Sequence, residues 1–375
     1  MDSATIEPGI QLRRAKKYSS IKYALVIIET AYLFVLLLVF LNFGFSKALK
    51  SEVFGVTAND YLAVALYLFI ISAVYYILNL PFNFYHSFLL ERKFSLSNQK
   101  IKDWLFDQVK SAILSYLVIF TLLCAFYYIL KIFPNYWWLA ISIFWVFFSL
   151  ILAKLTPIII IPLFFKYKKL SDQILRERII KLADKMQIKI LDVFEIDFSK
   201  KTLKANAAFV GVGLTKRVVL ADTLKDKYSH DEIEVILAHE FSHYKLRHLL
   251  KLIALNSFAI ILTFYFIYIS HMFTLSLFSF SALSDIAALP VIFIYFLLFG
   301  IIMQPFENYV SRRLEANADR LALNSTGLKD AFISMMEKLA AQNLADRSPH
   351  PLIKFFFFDH PPTEERIAQA RSFSQ

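Results

Sequence analysis

The sequence predicts a mainly α-helical, polytopic membrane protein with six to seven spans and a small α+β element outside the membrane. Of its 375 residues, 58% are hydrophobic and only 19% are charged, and 7 glycines and 11 prolines leave long apolar runs uninterrupted. This composition excludes an ordinary soluble enzyme and any sizeable disordered segment. Helices are the expected spanning element, because backbone polar groups in lipid must be satisfied within the segment itself.

Six apolar runs are long enough to cross the roughly 30 Å of a hydrocarbon core, which takes about 20 helical residues. The fourth run contains Pro157 and Pro162, so it is either one kinked helix or a helix followed by an interfacial segment. The six runs are residues 23–45, 61–82, 112–133, 137–165, 251–271 and 287–304.

The charge distribution predicts the orientation. Lys and Arg are concentrated in the segments 83–111, 166–250 and 305–375, whereas 272–286 has none and 46–60 has only Lys47 and Lys50. Since basic residues are retained on the cytoplasmic side, both termini and both large polar segments are expected there. The same rule accounts for the net charge of +11 without a nucleic-acid partner.

We expect two regions in the chain. Residues 1–165 form an N-terminal transmembrane region of about four spans, and residues 166–375 contain two further spans at about 251–271 and 287–304. The polar part before the fifth span begins with an amphipathic helix and continues with short β-rich runs. The expected elements are a helix at 171–187, strands at 191–196, 205–210 and 217–220, and helices at 306–324, 329–344 and from Thr363 onward.

The motif His239-Glu240-Phe241-Ser242-His243 matches H-E-x-x-H. Ser229 and Glu232 form a capping box, and neither Gly nor Pro occurs from residue 231 to 270, so we expect one long helix. Two histidines four residues apart share a helix face and can bind one tetrahedral metal ion. Glu240 is then placed to take a proton from a metal-activated water, which is the arrangement of a hydrolase.

The third ligand is expected to be a carboxylate, because the single cysteine, Cys124, lies in an apolar run. Glu315 follows the sixth span at a height similar to that of His243 before the fifth, on what should be a neighbouring helix. Asp319, one turn further, would accept the second ring N–H of a ligating histidine, and Arg312 is placed near the same carboxylates. Without the H-E-x-x-H motif, Glu315 and Arg312 would be read as a surface pair.

His248 lies among Lys245, Arg247 and Lys251, and this grouping favours an interfacial basic cluster over a catalytic role. His230 is expected to be a surface residue in the first turn of its helix.

Six segments give the chain a family resemblance. They are His239 to His243, the S-R-R-x-E-x-x-A-D segment with Glu315 and Asp319, Glu91-Arg92-Lys93-Phe94 with Asp107 and Lys110, Pro162-Leu163-Phe164-Phe165-Lys166, Asn206-Ala207-Ala208-Phe209-Val210-Gly211, and His360-Pro361-Pro362 followed by Glu365-Arg366. In these segments the chain resembles the membrane-embedded zinc endopeptidases of the CAAX prenyl protease 1 type. The resemblance implies a helical barrel around an intramembrane chamber, one Zn²⁺ per chain on the cytosolic side, and cleavage of the C-terminal tripeptide of prenylated substrates.

The resemblance also implies residue roles. His239, His243 and Glu315 would be the zinc ligands and Glu240 the catalytic acid and base. The segment at Asn206 and Ala207 would bind the substrate backbone as an added strand. His360 and Arg366 would reach the site from the C-terminal tail to stabilise an oxyanion or hold a substrate carboxylate, although His360 before two prolines is equally compatible with a structural cap.

Two residues depart from the family pattern: Ser242 and Ser95 stand where glycine is common. The chain is shorter than eukaryotic members and shows no retrieval signal, so a bacterial inner membrane is favoured over the endoplasmic reticulum. The expected partners are a peptide or protein substrate and membrane lipid, and the site does not require an oligomer. The alternatives are a heat-shock-type quality-control zinc endopeptidase and, in another class, a non-enzymatic transporter.

Overall fold

The computed structural model describes residues 8–210 and 216–373, and its long helices confirm the membrane-protein prediction. Within these residues, six helices are long and apolar enough to cross a membrane. Each coincides with one predicted apolar run. They are α1 (Pro8–Asn42), α3 (Asp60–Phe84), α5 (Ile101–Ile132), α6 (Trp137–Leu155), α10 (His248–Leu277) and α11 (Leu289–Thr326).

The fourth span remains a single helical segment. After α6 the chain forms one π-helical turn, Thr156–Ile160, and continues as α7 (Ile161–Phe164). Pro157 lies in that π turn, where a missing backbone N–H is accommodated by the wider ladder. A second π turn, Tyr85–Leu89, extends α3 into α4 (Leu90–Lys93).

The shorter helices lie between and after the spans. These shorter helices are α2 (Phe45–Val56), α8 (Gln173–Lys185), α9 (His230–Lys245), α12 (Lys329–Gln342), α13 (Pro351–Phe357) and α14 (Thr363–Arg371). Of these six, α2 and α13 were not predicted from the sequence. The predicted helix at 306–324 is the extramembrane continuation of α11, which runs unbroken for 38 residues.

A four-stranded sheet precedes α9 in the described part of the chain. The three predicted β-rich runs are confirmed as β2 (Val193–Ile196), β3 (Ala207–Val210) and β4 (Arg217–Ala221), and β1 (Tyr167–Lys169) joins them at one edge. The strand order is β1-β2-β4-β3. Strands β2 and β4 are parallel, whereas β1 and β3 pair antiparallel with their neighbours. In this sheet β3 is an edge strand, so one side of its backbone has no strand partner among residues 8–210 and 216–373.

The two faces of the sheet pack differently because side chains alternate along a strand. Val218 and Leu220 point into the main extramembrane core, which α9 completes with Phe241 and neighbouring residues. Val219 and Ala221 point to the opposite face, where Phe165 at the end of the fourth span covers them. The sheet therefore connects the membrane region to α9.

The expected single helix from residue 231 to 270 is wrong. The chain breaks at Leu246 and Arg247, with Arg247 in the left-handed region at φ +54°, and α10 begins at His248. The lack of Gly and Pro allowed a continuous helix but did not enforce one. Here Leu246 N donates to Ser242 O and Arg247 N to Tyr244 O, which closes the last turn of α9 and redirects the chain.

We predict that position 247 tolerates glycine and not a β-branched residue. A left-handed conformation costs a residue with a Cβ roughly 1–2 kcal/mol, and the cost is highest for branched side chains. Arg247→Gly should therefore keep the melting temperature of the purified protein in detergent, whereas Arg247→Ile should destabilise it by about 1–2 kcal/mol. Lys251→Ile, at an exposed position within α10, is the control; an equal loss in both isoleucine variants would contradict the prediction.

Candidate metal centre and active site

The orientation of α9 is set at its start. The Ser229 side chain accepts from Glu232 N, and the Glu232 carboxylate accepts from Ser229 N at 2.7 Å, so the predicted capping box is present. Leu237, Ala238 and Phe241 are completely buried in the core below the sheet. With that face of the helix fixed, the remaining face carries His239 and His243 toward α11.

Three candidate ligand side chains from the two helices converge. His239 Nε2 lies 3.2 Å from Glu315 Oε2, and His243 Nε2 lies 3.2 Å from Glu315 Oε1. The two Nε2 atoms are 3.0 Å apart. In a tetrahedral zinc site with bonds of about 2.0–2.1 Å, neighbouring ligand atoms are about 3.3 Å apart. The observed spacing fits a metal ion of that size.

The electrostatics of these residues favour a cation. Glu315 is 6% exposed, and its Oε2 is buried without a hydrogen-bond donor among the described residues. Burial by itself would lower the pKa of His239, but its contacts with Asp319 and Glu315 outweigh this effect and raise the pKa to about 9. The two carboxylates therefore favour a positive charge at this centre, and a divalent ion bound there would replace the proton.

Asp319 lies behind the first histidine. Its Oδ1 lies 2.9 Å from His239 Nδ1, so the distal ring nitrogen faces a carboxylate. Arg366 on α14 donates to both oxygens of Asp319, from Nε at 2.7 Å and from Nη2 at 2.5 Å. This bidentate pair balances a carboxylate that is fully buried.

Glu240 is half-buried beside His239. Burial raises the pKa of its carboxyl group, and the neighbouring histidines oppose that rise. A carboxylate with a raised pKa is a better match for accepting a proton from an activated water and returning it.

The C-terminal tail reaches the site through α13. Asn308 Nδ2 donates to Phe356 O at 2.7 Å, and Arg312 donates to the carbonyls of Lys354 and Phe358. His360 follows, with Nε2 at 3.5 Å from Glu315 Oε2 and Nδ1 at 2.8 Å from Asp359 Oδ1.

The structure gives Arg312 and Arg366 other partners than the sequence suggested. Arg312 binds the tail carbonyls, and among the described residues it forms no hydrogen bond or ion pair with His239, His243 or Glu315. Arg366 donates to Asp319 from both Nε and Nη2. Arg312 therefore holds the segment that presents His360, and Arg366 acts on the centre through Asp319.

Asn206 and Ala207 lie at the edge strand. Asn206 O accepts from Ala221 N at 3.0 Å, and in the antiparallel alternation that follows, the backbone groups of Ala207 and Phe209 face the free edge. A cavity of about 720 Å³ lies between α1, this strand and the tail, and Asn206, His360 and Arg366 are among its lining residues.

The Glu91-Arg92-Lys93-Phe94 segment ties this strand to the membrane region. Glu91 accepts from Tyr18 of α1 and from Lys204 just before β3, the latter pair at 2.8 Å. Ser95, which stands where the family commonly has glycine, is left-handed at φ +56°. That conformation explains the preference for glycine at this turn. Ser242, the other departure, is buried and its Oγ donates to Ala238 O at 2.6 Å.

Sequence reasoning missed His248. The basic cluster expected around it is wrong for this residue, which is 1% exposed and lies with its Nδ1 3.0 Å from the Nδ1 of His243. Its position depends on the helix break at Arg247, and the sequence gives no signal for that break.

Comparisons with known proteins agree with this architecture. Residues 8–166 match a family model for the N-terminal region of CAAX prenyl proteases, described with five membrane helices, and residues 169–374 match the model of peptidase family M48. The uncharacterized metalloprotease YhfN of Bacillus subtilis is 30% identical, over 98% of this chain and 87% of its own length. CAAX prenyl protease 1 of Saccharomyces cerevisiae is 31% identical over 80% of this chain and 70% of its own length.

The fold is also similar to that of a solved structure. The crystal structure of Ste24p from S. mikatae superposes with a TM-score of 0.87 at 25% identity, covering 98% of this chain and 90% of that chain. The ligand geometry, the six apolar helices and the two matched models point to one conclusion. The chain belongs to peptidase family M48, among the membrane-integral metalloendopeptidases of the CAAX prenyl protease 1 type.

Proposed function

We propose that this metalloendopeptidase binds one Zn²⁺ through His239, His243 and Glu315 and hydrolyses peptide bonds near the C-terminus of prenylated or other membrane-associated substrates. The observation that carries the proposal is the convergence of these three side chains from α9 and α11, whose nearest ligand atoms are 3.0–3.2 Å apart in each pair. Two imidazoles and one carboxylate are a donor set typical of catalytic zinc sites.

A Zn²⁺ ion held by His239, His243 and Glu315 would supply polarisation of the carbonyl and would lower the pKa of water to about 7. Glu240 takes the proton released when water attacks the peptide carbonyl, and it then delivers that proton to the leaving amine. Asp319 orients His239 and is itself held by Arg366. Arg366 is therefore a positioning residue in this proposal.

His360 lies on the tail with its Nε2 3.5 Å from Glu315 Oε2. Its pKa is raised because Asp359 and Glu315 favour the charged ring more strongly than burial disfavours it. A charged imidazole 3.5 Å from Glu315 Oε2 can donate to the oxygen that becomes negative during attack. One well-placed donor of this kind contributes about 3–4 kcal/mol to a transition state.

The substrate backbone binds to the free edge of β3 in this proposal. Ala207 offers its N–H and C=O to an added strand, beside the cavity that contains His360. A second, apolar cavity of about 130 Å³ lies on the face of Ala208 and Val210 and can take an alternate side chain of such a strand.

The proposal includes the regions and the location of the chain. Residues 1–165 form the N-terminal transmembrane region and residues 166–375 the metallopeptidase region, in a bacterial inner membrane with the site on the cytoplasmic side. Membrane lipid surrounds the spans. All candidate ligands come from one chain, so an oligomer is not required.

Substitutions at Glu240 and His239 should separate the loss of catalysis from the loss of metal binding. Glu240→Gln should keep one zinc per chain and lose about 10²–10⁴-fold in peptidase turnover, because it removes the proton acceptor and none of the ligands. His239→Ala should lose the metal, and a chelator should abolish wild-type activity reversibly. Elemental analysis and peptide hydrolysis by the purified protein measure both effects. Glu337→Gln, an exposed glutamate on α12, is the control, and full turnover by Glu240→Gln would refute the assigned base.

Prenylation of the substrate should raise the efficiency of cleavage. A farnesylated C-terminal peptide should be cleaved with a higher kcat/KM than the same peptide without the lipid, because a lipid held at the membrane would keep the scissile bond near the cavity lined by α1 and the edge strand. Mass spectrometry of the products locates the cut. Equal cleavage of the unprenylated peptide and of an unfolded membrane protein would instead support the quality-control alternative.

Labelling of introduced cysteines should show the proposed orientation of the chain in the membrane. In a Cys124→Ala background, Glu52→Cys and Lys189→Cys introduce thiols at exposed positions on opposite sides of the proposed membrane. In intact cells, a membrane-impermeant maleimide should label Glu52→Cys and should reach Lys189→Cys only after permeabilisation. The reverse pattern would place the site outside the cytoplasm.

A further inference from the structure

His248 makes a contact that the proposed catalytic cycle does not use. Its Nδ1 lies 3.0 Å from the Nδ1 of His243, with the ring centroids 4.9 Å apart and the planes at 81°. At 1% exposure it is more buried than either candidate histidine ligand. The contact is on the side of His243 opposite to the atom that faces Glu315.

The backbone is bent to make this contact. In a continuous α-helix, residues five apart are separated by about 140° around the axis and cannot face each other. The left-handed Arg247, at φ +54°, ends α9 and starts α10, so that the ring of His248 turns back onto His243. A left-handed non-glycine residue is a local strain of the kind that is concentrated at functional sites.

The proton positions follow from the geometry. A neutral His243 that offers its Nε2 lone pair to a metal carries its hydrogen on Nδ1, the atom facing His248. His248 must then accept at Nδ1 and carry its own hydrogen on Nε2. That Nε2 is buried without a partner among the described residues, an arrangement that costs roughly 1–3 kcal/mol and that a leucine would avoid.

We infer that His248 is the hydrogen-bond acceptor that fixes the tautomer and ring orientation of His243 for metal binding. It is a positioning residue, and it does for the second histidine what Asp319 does for the first. The two histidines are thus supported differently, one by a carboxylate paired with an arginine and the other by a second imidazole. The inference rests on the proposed metal site.

Asparagine and leucine at position 248 form a matched pair of variants. Asn places its Oδ1 close to where His places Nδ1, and Leu has nearly the same shape with no acceptor. Losing a partner that orients a ligand weakens metal affinity by about 10–100-fold. We therefore expect His248→Leu to bind Zn²⁺ about 10–100-fold more weakly than wild type and His248→Asn to remain within about threefold.

The measurement uses the purified full-length protein. Zn²⁺ affinity is determined by competition with a chromophoric chelator, and Co²⁺ replaces Zn²⁺ to record the d–d absorption, which should shift in His248→Leu and be restored in His248→Asn. The melting temperature without metal identifies any general loss of folding, and His248→Ala replaces the leucine variant if that variant does not fold. His271→Leu, on the same helix, is the control for removing a histidine.

The outcomes separate this inference from the proposed function. Wild-type affinity and spectrum in His248→Leu, or equal losses in the asparagine and leucine variants, would overturn the role of His248 and leave the metal site intact. If the wild-type protein bound Zn²⁺ no more tightly than His239→Ala, the proposed function would fail and this inference with it.

Discussion

The packing of α9 against α11 forces two carboxylates, Glu315 and Asp319, out of water, and the rest of the site follows from that constraint. A buried carboxylate is stable only when it is paired and hydrogen-bonded. Asp319 is paired with Arg366, so their charges cancel, and Glu315 is left facing two imidazoles. The remaining negative charge requires a cation, which is either a proton shared with the histidines or a metal ion.

This constraint explains why elements far apart in sequence meet at one point. The C-terminal tail supplies Arg366, so α14 provides the guanidinium that stabilises the buried carboxylate of Asp319. Arg312 and Asn308 hold α13 by its carbonyls and thereby set the path by which the tail returns. Loss of the tail would remove the guanidinium from a fully buried carboxylate, so the tail stabilises the centre as well as bringing His360 to it.

How much of this the sequence could predict depends on the range of the interactions. The capping box, the i, i+4 pair of His239 and His243, and the spans are local patterns, and the structure reproduces them. Glu315 could be predicted as a ligand because two adjacent spans fix the heights of the residues that flank them. The role of His248 could not be predicted. Its contact needs a left-handed residue at Arg247, and a tertiary constraint rather than a glycine produces that conformation. The sequence placed Arg312 near the carboxylates for a similar reason. Its partners are the backbone carbonyls of α13 and of Phe358 after it, and the sequence did not indicate that helix.

The same geometry gives the N-terminal helices a part in the site itself. The cavity beside the edge strand is lined by Tyr18 and Lys22 of α1 as well as by Asn206 and His360. Glu91 joins Tyr18 to Lys204, and so it fixes α1 to the segment that leads into β3. A peptide lying along that strand would have the ligand helices on one side and a membrane span on the other. Under the proposed substrate binding, α1 would therefore form one wall of the substrate space, opposite the helices that carry the candidate metal ligands.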